Sequence, residues 1–369
     1  MFAERMSRVR AAMEQQGVDV LLLSVGPDLP WLIGYEAMPL ERLTMLVVPV
    51  DDRPRLVIPS FETARVVEHP DLFDIDGWGE TDDPIQRVAD FVGRRSTVAI
   101  GDHTWSRFTV DLQHALPGAS WRRATDVVGA LRRVKDAAEI EALQRAASGV
   151  DRIAAALQAG EIPLIGRTEA DVSAELGRRI IAEGHDRVNF AIVASGPNAS
   201  SPHHHAGDRV IQPNEVVLCD FGGTTAEPHG QPGYCSDITR CVYTGTPDPE
   251  FAESYALLQQ AQAEATAAAV VGTEAQTPDR VARDRLADND LAKYFAHRIG
   301  HGIGVEAHED PYLVEGNTET LLAGNAFSIE PGFYVPGRWG ARLEDIVVAT
   351  EDGPRSLNNA ERSLVVVEA

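Results

Sequence analysis

At 369 residues, with 44% apolar and 24% charged side chains, the chain has the length of about two domains and an ordinary globular composition, which excludes disorder as the default. A net charge of −23 argues against a polyanionic partner such as nucleic acid, which calls for patches of Lys and Arg. Cys219, Cys235 and Cys241 form neither a disulfide framework nor a zinc pattern, and no apolar run reaches the length of a membrane span, so a reducing, cytosolic setting is expected.

In chain order, "ERMSRVRAAMEQQG" reads as an amphipathic helix with Met6, Val9 and Met13 on one face. Short β-rich runs follow at 18–25, 43–50, 55–59 and 96–102, with helices expected over "DPIQRVADFVGRR" and "SRFTVDLQHAL". That alternation predicts a small α/β domain over 1–128. From 129 the pattern changes. Ile140, Leu143, Ala147, Val150, Ile153 and Leu157 recur at helical spacing, predicting one long helix over "VVGALRRVKDAAEIEALQRAASGVDRIAAALQAG" that stops at Gly160. Further helices are expected over 168–184 and 248–271. Another starts at Thr277–Pro278, a cap followed by a favourable first position. Strands are expected at 189–195, 215–223, 236–245, 325–335 and 341–350, making 129–369 an α+β domain with antiparallel pairing.

Four of those strands carry an acid. Asp220 sits late in "VVLCDFGG" and Asp237 heads "SDITRCVYTG", so a hairpin would bring them together. Glu330 ends "FSIE" and Glu344 lies inside "ARLEDIVVAT", again two arms of one hairpin. Buried carboxylates that lack partners are costly or titrate to neutral. Divalent metals would solve this. So would ion pairs to Arg240 and Arg342, or exposure of the acids. "HRIGHGIGVEAHEDP" (297–311) adds His301 and His308, with Gly300, Gly302 and Gly304 around the first.

In order along the chain, "DFGG…GYCSDITR", "GHGIGVEAHEDP", "SIEPGFY" and "RLEDIVV" resemble the prolidase / Xaa-Pro aminopeptidase family of pita-bread metallopeptidases. "RMSRVRAAMEQQGVDVLLLSVGPDLPWLIGY" resembles that family's creatinase-like N-terminal domain, and "LRRVKDAAEIEAL" its junction. The resemblance implies an α/β N-terminal domain (1–128) and an α+β pita-bread catalytic domain (129–369) holding two divalent ions. Its ligands here would be Asp220, Asp237, His301, Glu330 and Glu344, with Asp237 and Glu344 bridging. Manganese is the first expectation, with cobalt, iron or zinc as alternatives. A hydroxide shared by the two ions would be the nucleophile. Glu330 would take and pass its proton, while His203 and His308 would contact substrate. His203 is selected by aligning "GPNASSPHHH" on Pro202, with His204 as the neighbouring alternative.

The implied activity is removal of an N-terminal residue before proline, as an Xaa-Pro dipeptidase or aminopeptidase acting on short peptides, with homodimerisation and without nucleic-acid or membrane partners. Arg342 is expected to orient Glu344 or to bind a substrate carboxylate. Tyr334 would line the pocket or pack in the core, and His229 and His297 are expected to be incidental. The connection between Asp220 and Asp237 is longer than in many relatives, which puts the shape of the pocket rim in question. Two rival readings are a same-fold enzyme on a small non-peptide substrate, as amide hydrolase or lyase, and a binding module without catalysis. Five retained ligand types weigh against the second.

Overall fold

The computed structural model describes residues 1–368 as two compact units, Met1–Arg132 with Glu227–Pro232, and Arg133–Ala226 with Gly233 onward. In the first unit, helix α1 (Phe2–Gln16) buries Met6, Val9 and Met13. A mixed sheet has the order β4-β3-β2-β1-β5-β6: β1 Val20–Leu23, β2 Met45–Pro49, β3 Arg55–Pro59, β4 Asp74–Trp78, β5 Thr97–Ile100 and β6 Ser120–Arg123. Helices α2 (Asp28–Ile33), α3 (Pro84–Val92), α4 (Ser106–Ala115) and α5 (Val128–Arg132) complete it. The edge strands β4 (DIDGW) and β6 (SWRR) escaped the sequence reading because edges need little apolar surface. Residues 227–232 of the long connection pack here, where only a glycine at 34 admits the Gly230 carbonyl.

The long helix expected from 129 is two helices. Helix α6 (Ala137–Gln158) starts afresh at Asp136, which forms a capping box with Glu139 and satisfies backbone donors that a continuous helix would bond internally. Helix α7 (Glu169–Ala182) follows, capped by Thr168. Both cover one face of a four-stranded sheet, order β17-β9-β8-β7, built from β7 His185–Ser195, β8 Val216–Thr225, β9 Ile238–Thr244 and β17 Val365–Val367. Every residue of β8 and β9 is buried. Alternation sends Val217, Cys219, Phe221, Ile238 and Val242 under α6 and α7. It leaves Asp220 on the opposite face.

Helices α8 (Pro249–Ala268) and α9 (Thr277–Ala287) contribute Phe251, Tyr255, Leu258, Ala282 and Leu286 to a hydrophobic core shared with Phe327 and Phe333. Thr277 and Pro278 both lie inside α9, and Gln276 holds the cap position, one residue earlier than expected. A five-stranded sheet runs β11-β10-β12-β15-β16, with β10 Gly300–Gly302, β11 Glu309–Leu313, β12 Ala326–Ile329, β15 Asp345–Thr350 and β16 Gly353–Ser356. Strands β13 Gly332–Val335 and β14 Trp339–Arg342 form a separate hairpin. Pairing in this unit is antiparallel except for β17, which runs parallel to β9. The runs 325–335 and 341–350, expected as single strands, are each broken: the first at Glu330–Pro331, the second at Leu343–Glu344. Pro331 has no N–H for a ladder, and chain switches there from one sheet to the other.

Candidate metal centre

The acids meet because of register. Asp220 pairs with Thr239 across the β8–β9 ladder, and Asp237, two residues before Thr239, shares its face. Glu344 forms an isolated bridge to Thr239, whose hydroxyl donates to Glu344 Oε2 at 2.7 Å. Glu344 therefore sits in the gap between β14 and β15 rather than inside a strand. Glu330 lies in the matching gap after β12, its N–H bonded to the Ile299 carbonyl at 2.8 Å.

His301 is carried on β10, where Gly302 faces Phe327 of β12. A Cβ on Gly300 would come within 1.9 Å of the Ser328 carbonyl oxygen, so only glycine lets the strands close up at this point. Buried Asp279 of α9 accepts the Ile299 N–H at 2.9 Å, and Arg283 donates to the His297 carbonyl at 2.6 Å. The Ser328 hydroxyl accepts the His301 N–H and donates to Glu330 Oε1, both at 3.1 Å. His301 Nε2 lies 3.3 Å from Glu330 Oε1 and 3.8 Å from Asp237 Oδ2. Ligating atoms of Asp237, His301 and Glu344 lie within 4.8 Å of one another.

The electrostatics are those of acids crowded together in a buried cluster. Burial, then the charges of Glu344, Asp220 and Glu330, hold the Asp237 carboxyl well above its ordinary range. Burial, Glu330 and Asp220 do the same to Glu344. Burial would raise Glu330 too, but the hydrogen bond and charge of His301 outweigh it and bring Glu330 down to about 2. Asp220 Oδ1 and Asp237 Oδ1 are buried without a hydrogen-bond partner among the described residues. Orphaned carboxylate oxygens beside an imidazole are a donor set for a hard or borderline divalent ion, so the residues fit one.

The ion-pair alternative covers only part of the cluster. Arg342 binds Asp220 Oδ2, and its Nε stands 4.0 Å from Glu330. Arg240 pairs instead with Asp345 at 2.7 Å and donates to the Thr239 and Glu344 carbonyls, clamping the backbone that carries the acids. Arg342 is further tied to Thr239 Oγ1, Tyr334 Oη and the Pro202 carbonyl.

These groups open onto a cavity of about 460 Å³, lined by all five acid and imidazole candidates together with His203, His308 and Arg342. His308 stacks on His301 with ring centroids 3.7 Å apart. Burial and the neighbouring His301 lower His308 to about 4, so it is neutral near pH 7. His203 lines the cavity, whereas His204 turns to Glu169. His229 lies in the 227–232 segment of the first unit.

His297, expected to be incidental, is part of the cavity wall. Its Nδ1 donates to the Arg298 carbonyl at 2.8 Å, so Nε2 accepts from Tyr334 Oη at 2.8 Å. Burial keeps it neutral by lowering its pKa. Phe190 and Ile192 add an apolar wall from β7, where Ile192 faces Asp220 across the ladder. The alternation in "NFAIVAS" carried that signal. For His297 no local signal existed, because its partner is 37 residues away.

An α/β unit followed by paired sheets converging on buried acids and an imidazole defines the class: a metal-dependent hydrolase with a pita-bread catalytic domain. Residues 138–351 match metallopeptidase family M24 and residues 5–134 match the creatinase/prolidase N-terminal domain, and the chain belongs to that family. It is 43% identical to the probable dipeptidase PepE of Mycobacterium tuberculosis, over 99% of this chain and 96% of that one. It is 32% identical to the Xaa-Pro dipeptidase of Lactobacillus helveticus over 98% of each. The crystal structure of dipeptidase PepE from Mycobacterium ulcerans superposes with a TM-score of 0.92 at 45% identity, covering 100% of this chain and 98% of that one. Recombinant prolidase from Thermococcus sibiricus gives 0.92 at 30% identity, covering 100% and 99%. The chain is thus a metallopeptidase of a family that uses divalent metal cofactors. Among the described residues no helix is long and apolar enough to cross a membrane.

Proposed function

We propose that this enzyme is a dinuclear Xaa-Pro dipeptidase, in which Asp220, Asp237, His301, Glu330 and Glu344 would hold two divalent ions. The observation that carries this reading is the convergence of four carboxylates and one imidazole, two of the acids with buried oxygens that no donor among the described residues satisfies. Manganese suits a set dominated by carboxylate oxygen with one nitrogen. Bound ions supply a nucleophile at neutral pH and polarise the scissile carbonyl.

The chain's own side chains do the rest. Glu330 takes the proton released by the attacking water and passes it to the departing imino nitrogen. Its Oε1 is fixed by the Ser328 hydroxyl. Neutral His308 offers an N–H to substrate oxygen. The guanidinium of Arg298, 3.5 Å from His308 Nδ1, can only donate, which favours the proton on Nε2. His203 supplies a second donor at the cavity wall. Arg342 is committed to Asp220 and Tyr334, so it serves to orient the acid cluster, and Thr239 carries that orientation on to Glu344. Phe190 and Ile192 form the apolar wall that suits a proline ring. The relatives named as dipeptidases and Xaa-Pro dipeptidase support this substrate class. A cytoplasmic homodimer acting on short peptides completes the proposal, with neither nucleic acid nor membrane as partner, in keeping with the net charge of −23.

The test is hydrolysis of Ala-Pro and Ala-Pro-Ala with Mn²⁺ and with chelator, in wild type and Glu330→Gln. Metal-dependent cleavage, faster on the dipeptide and lost in the variant, is expected. No cleavage by protein shown to carry two metals per chain would refute the peptidase reading.

A further inference from the structure

Glu169 is the first residue of α7 and is fully buried, with no reacting group beside it. It nevertheless accepts hydrogen bonds from Ser195 N and Oγ at 2.7 Å, from Asn198 Nδ2 at 3.1 Å and from His204 Nε2 at 2.7 Å. All of these donors belong to residues 195–204, the segment that carries His203 to the cavity. A carboxylate at a helix N-terminus with every acceptor direction used is a rigid anchor, and charge-assisted bonds are the strong ones. His204 Nε2 must carry the proton in this pair, since an ionised carboxylate only accepts.

The geometry brackets one residue. On its N-terminal side, the Pro202 carbonyl is held by Arg342 Nη1 at 3.3 Å. On its C-terminal side, His204 is held by Glu169. Further back, a Cβ on Gly340 of β14 would meet the Ala199 carbonyl at 2.1 Å, so β14 also supports the segment by close backbone approach. His203, whose side chain lines the cavity, therefore sits between two fixed neighbours.

We propose that His204 and Glu169 form a positioning pair that fixes the backbone of His203, so that its imidazole meets the substrate in the productive orientation. This rests on the substrate-contacting role given to His203 above. A displacement of about 1 Å at a substrate-contacting group can cost on the order of 100-fold in rate, so loss of the pair should reduce kcat well before it unfolds the domain.

The experiment is a double-mutant cycle on the Mn²⁺-loaded enzyme with Ala-Pro, using His203→Ala, His204→Ala and both together, with metal content measured for each. His204→Ala is expected to lower kcat by about 10- to 100-fold, with KM moved by less than about threefold and wild-type metal content. In the His203→Ala background, His204→Ala is expected to cost nothing further. His204→Gln, which keeps an N–H donor, should restore part of kcat, and it also carries the test if the alanine variant fails to fold. Equal losses from His204→Ala in both backgrounds would overturn the pair as a positioning device and leave the role of His203 standing. Full activity in His203→Ala would overturn that role itself, and the pair with it.

Discussion

Asp237→Asn should stabilise the metal-free enzyme and destabilise the metal-loaded one relative to wild type. The Asp237 and Glu344 oxygens lie within 4.8 Å of each other. Two ionised carboxylates at about 5 Å repel by about 3 kcal/mol at an effective dielectric of about 20. Burial and this repulsion raise both groups, so protonation relieves part of the cost. Asparagine has nearly the same shape, and Asp237 Oδ1 has no hydrogen bond to lose among the described residues. We therefore expect a gain of about 1–2 kcal/mol in chelator, or roughly 2–4 °C in the unfolding midpoint. Wild type at a Mn²⁺ concentration about 100 times Kd gains about 2.7 kcal/mol by mass action. The variant, lacking one of the candidate ligands, should lose most of that, so the order of stabilities reverses. Thermal unfolding of both proteins in chelator and in Mn²⁺ measures it. A variant less stable than wild type in chelator, or stabilised equally by Mn²⁺, would refute the reasoning.

Three further outcomes are expected. Gly300→Ala places a methyl 1.9 Å from the Ser328 carbonyl oxygen, so β10 must shift and carry His301 with it; bound metal and activity should fall together, and a wild-type metal content by elemental analysis would contradict this. All three cysteines are buried; burial pushes Cys235 to about 11 and Cys241 to about 12 and raises Cys219 too. Thiol titration should find no reactive thiol in native protein and three after denaturation, and rapid labelling of native enzyme would be the contrary result. Burial works against the Glu169 carboxylate, but hydrogen bonds from Ser195, His204 and Asn198 outweigh it and lower its pKa below the ordinary 4.5. Its stabilisation is present above that ordinary value and is lost as pH falls through the lower folded one. Glu169→Gln should flatten the acid side of a urea-midpoint against pH curve, and an unchanged acid side would count against it.

Interior strands were legible in the sequence because burial on both faces writes an apolar run, as in "VVLCDF" of β8. Edge strands β4 and β6 were not, since solvent tolerates Asp and Arg there. The break before α6 was legible in retrospect as Asp136 and Glu139 at capping-box spacing, hidden inside an otherwise continuous apolar period. The five metal candidates showed themselves as acids inside apolar runs and a histidine among glycines. The residues that hold the site in shape did not. His297 reads Tyr334, His204 reads Glu169 and Arg240 reads Asp345, all across gaps of more than thirty residues that only the fold closes.

The central claim, that these five side chains hold two ions and that both are needed to cleave an Xaa-Pro bond, is tested most directly by adding Mn²⁺ stepwise to stripped protein while following Ala-Pro hydrolysis. Activity should climb with added metal and level off at two ions per chain. A plateau at one ion, or hydrolysis that persists in chelator, would contradict the account.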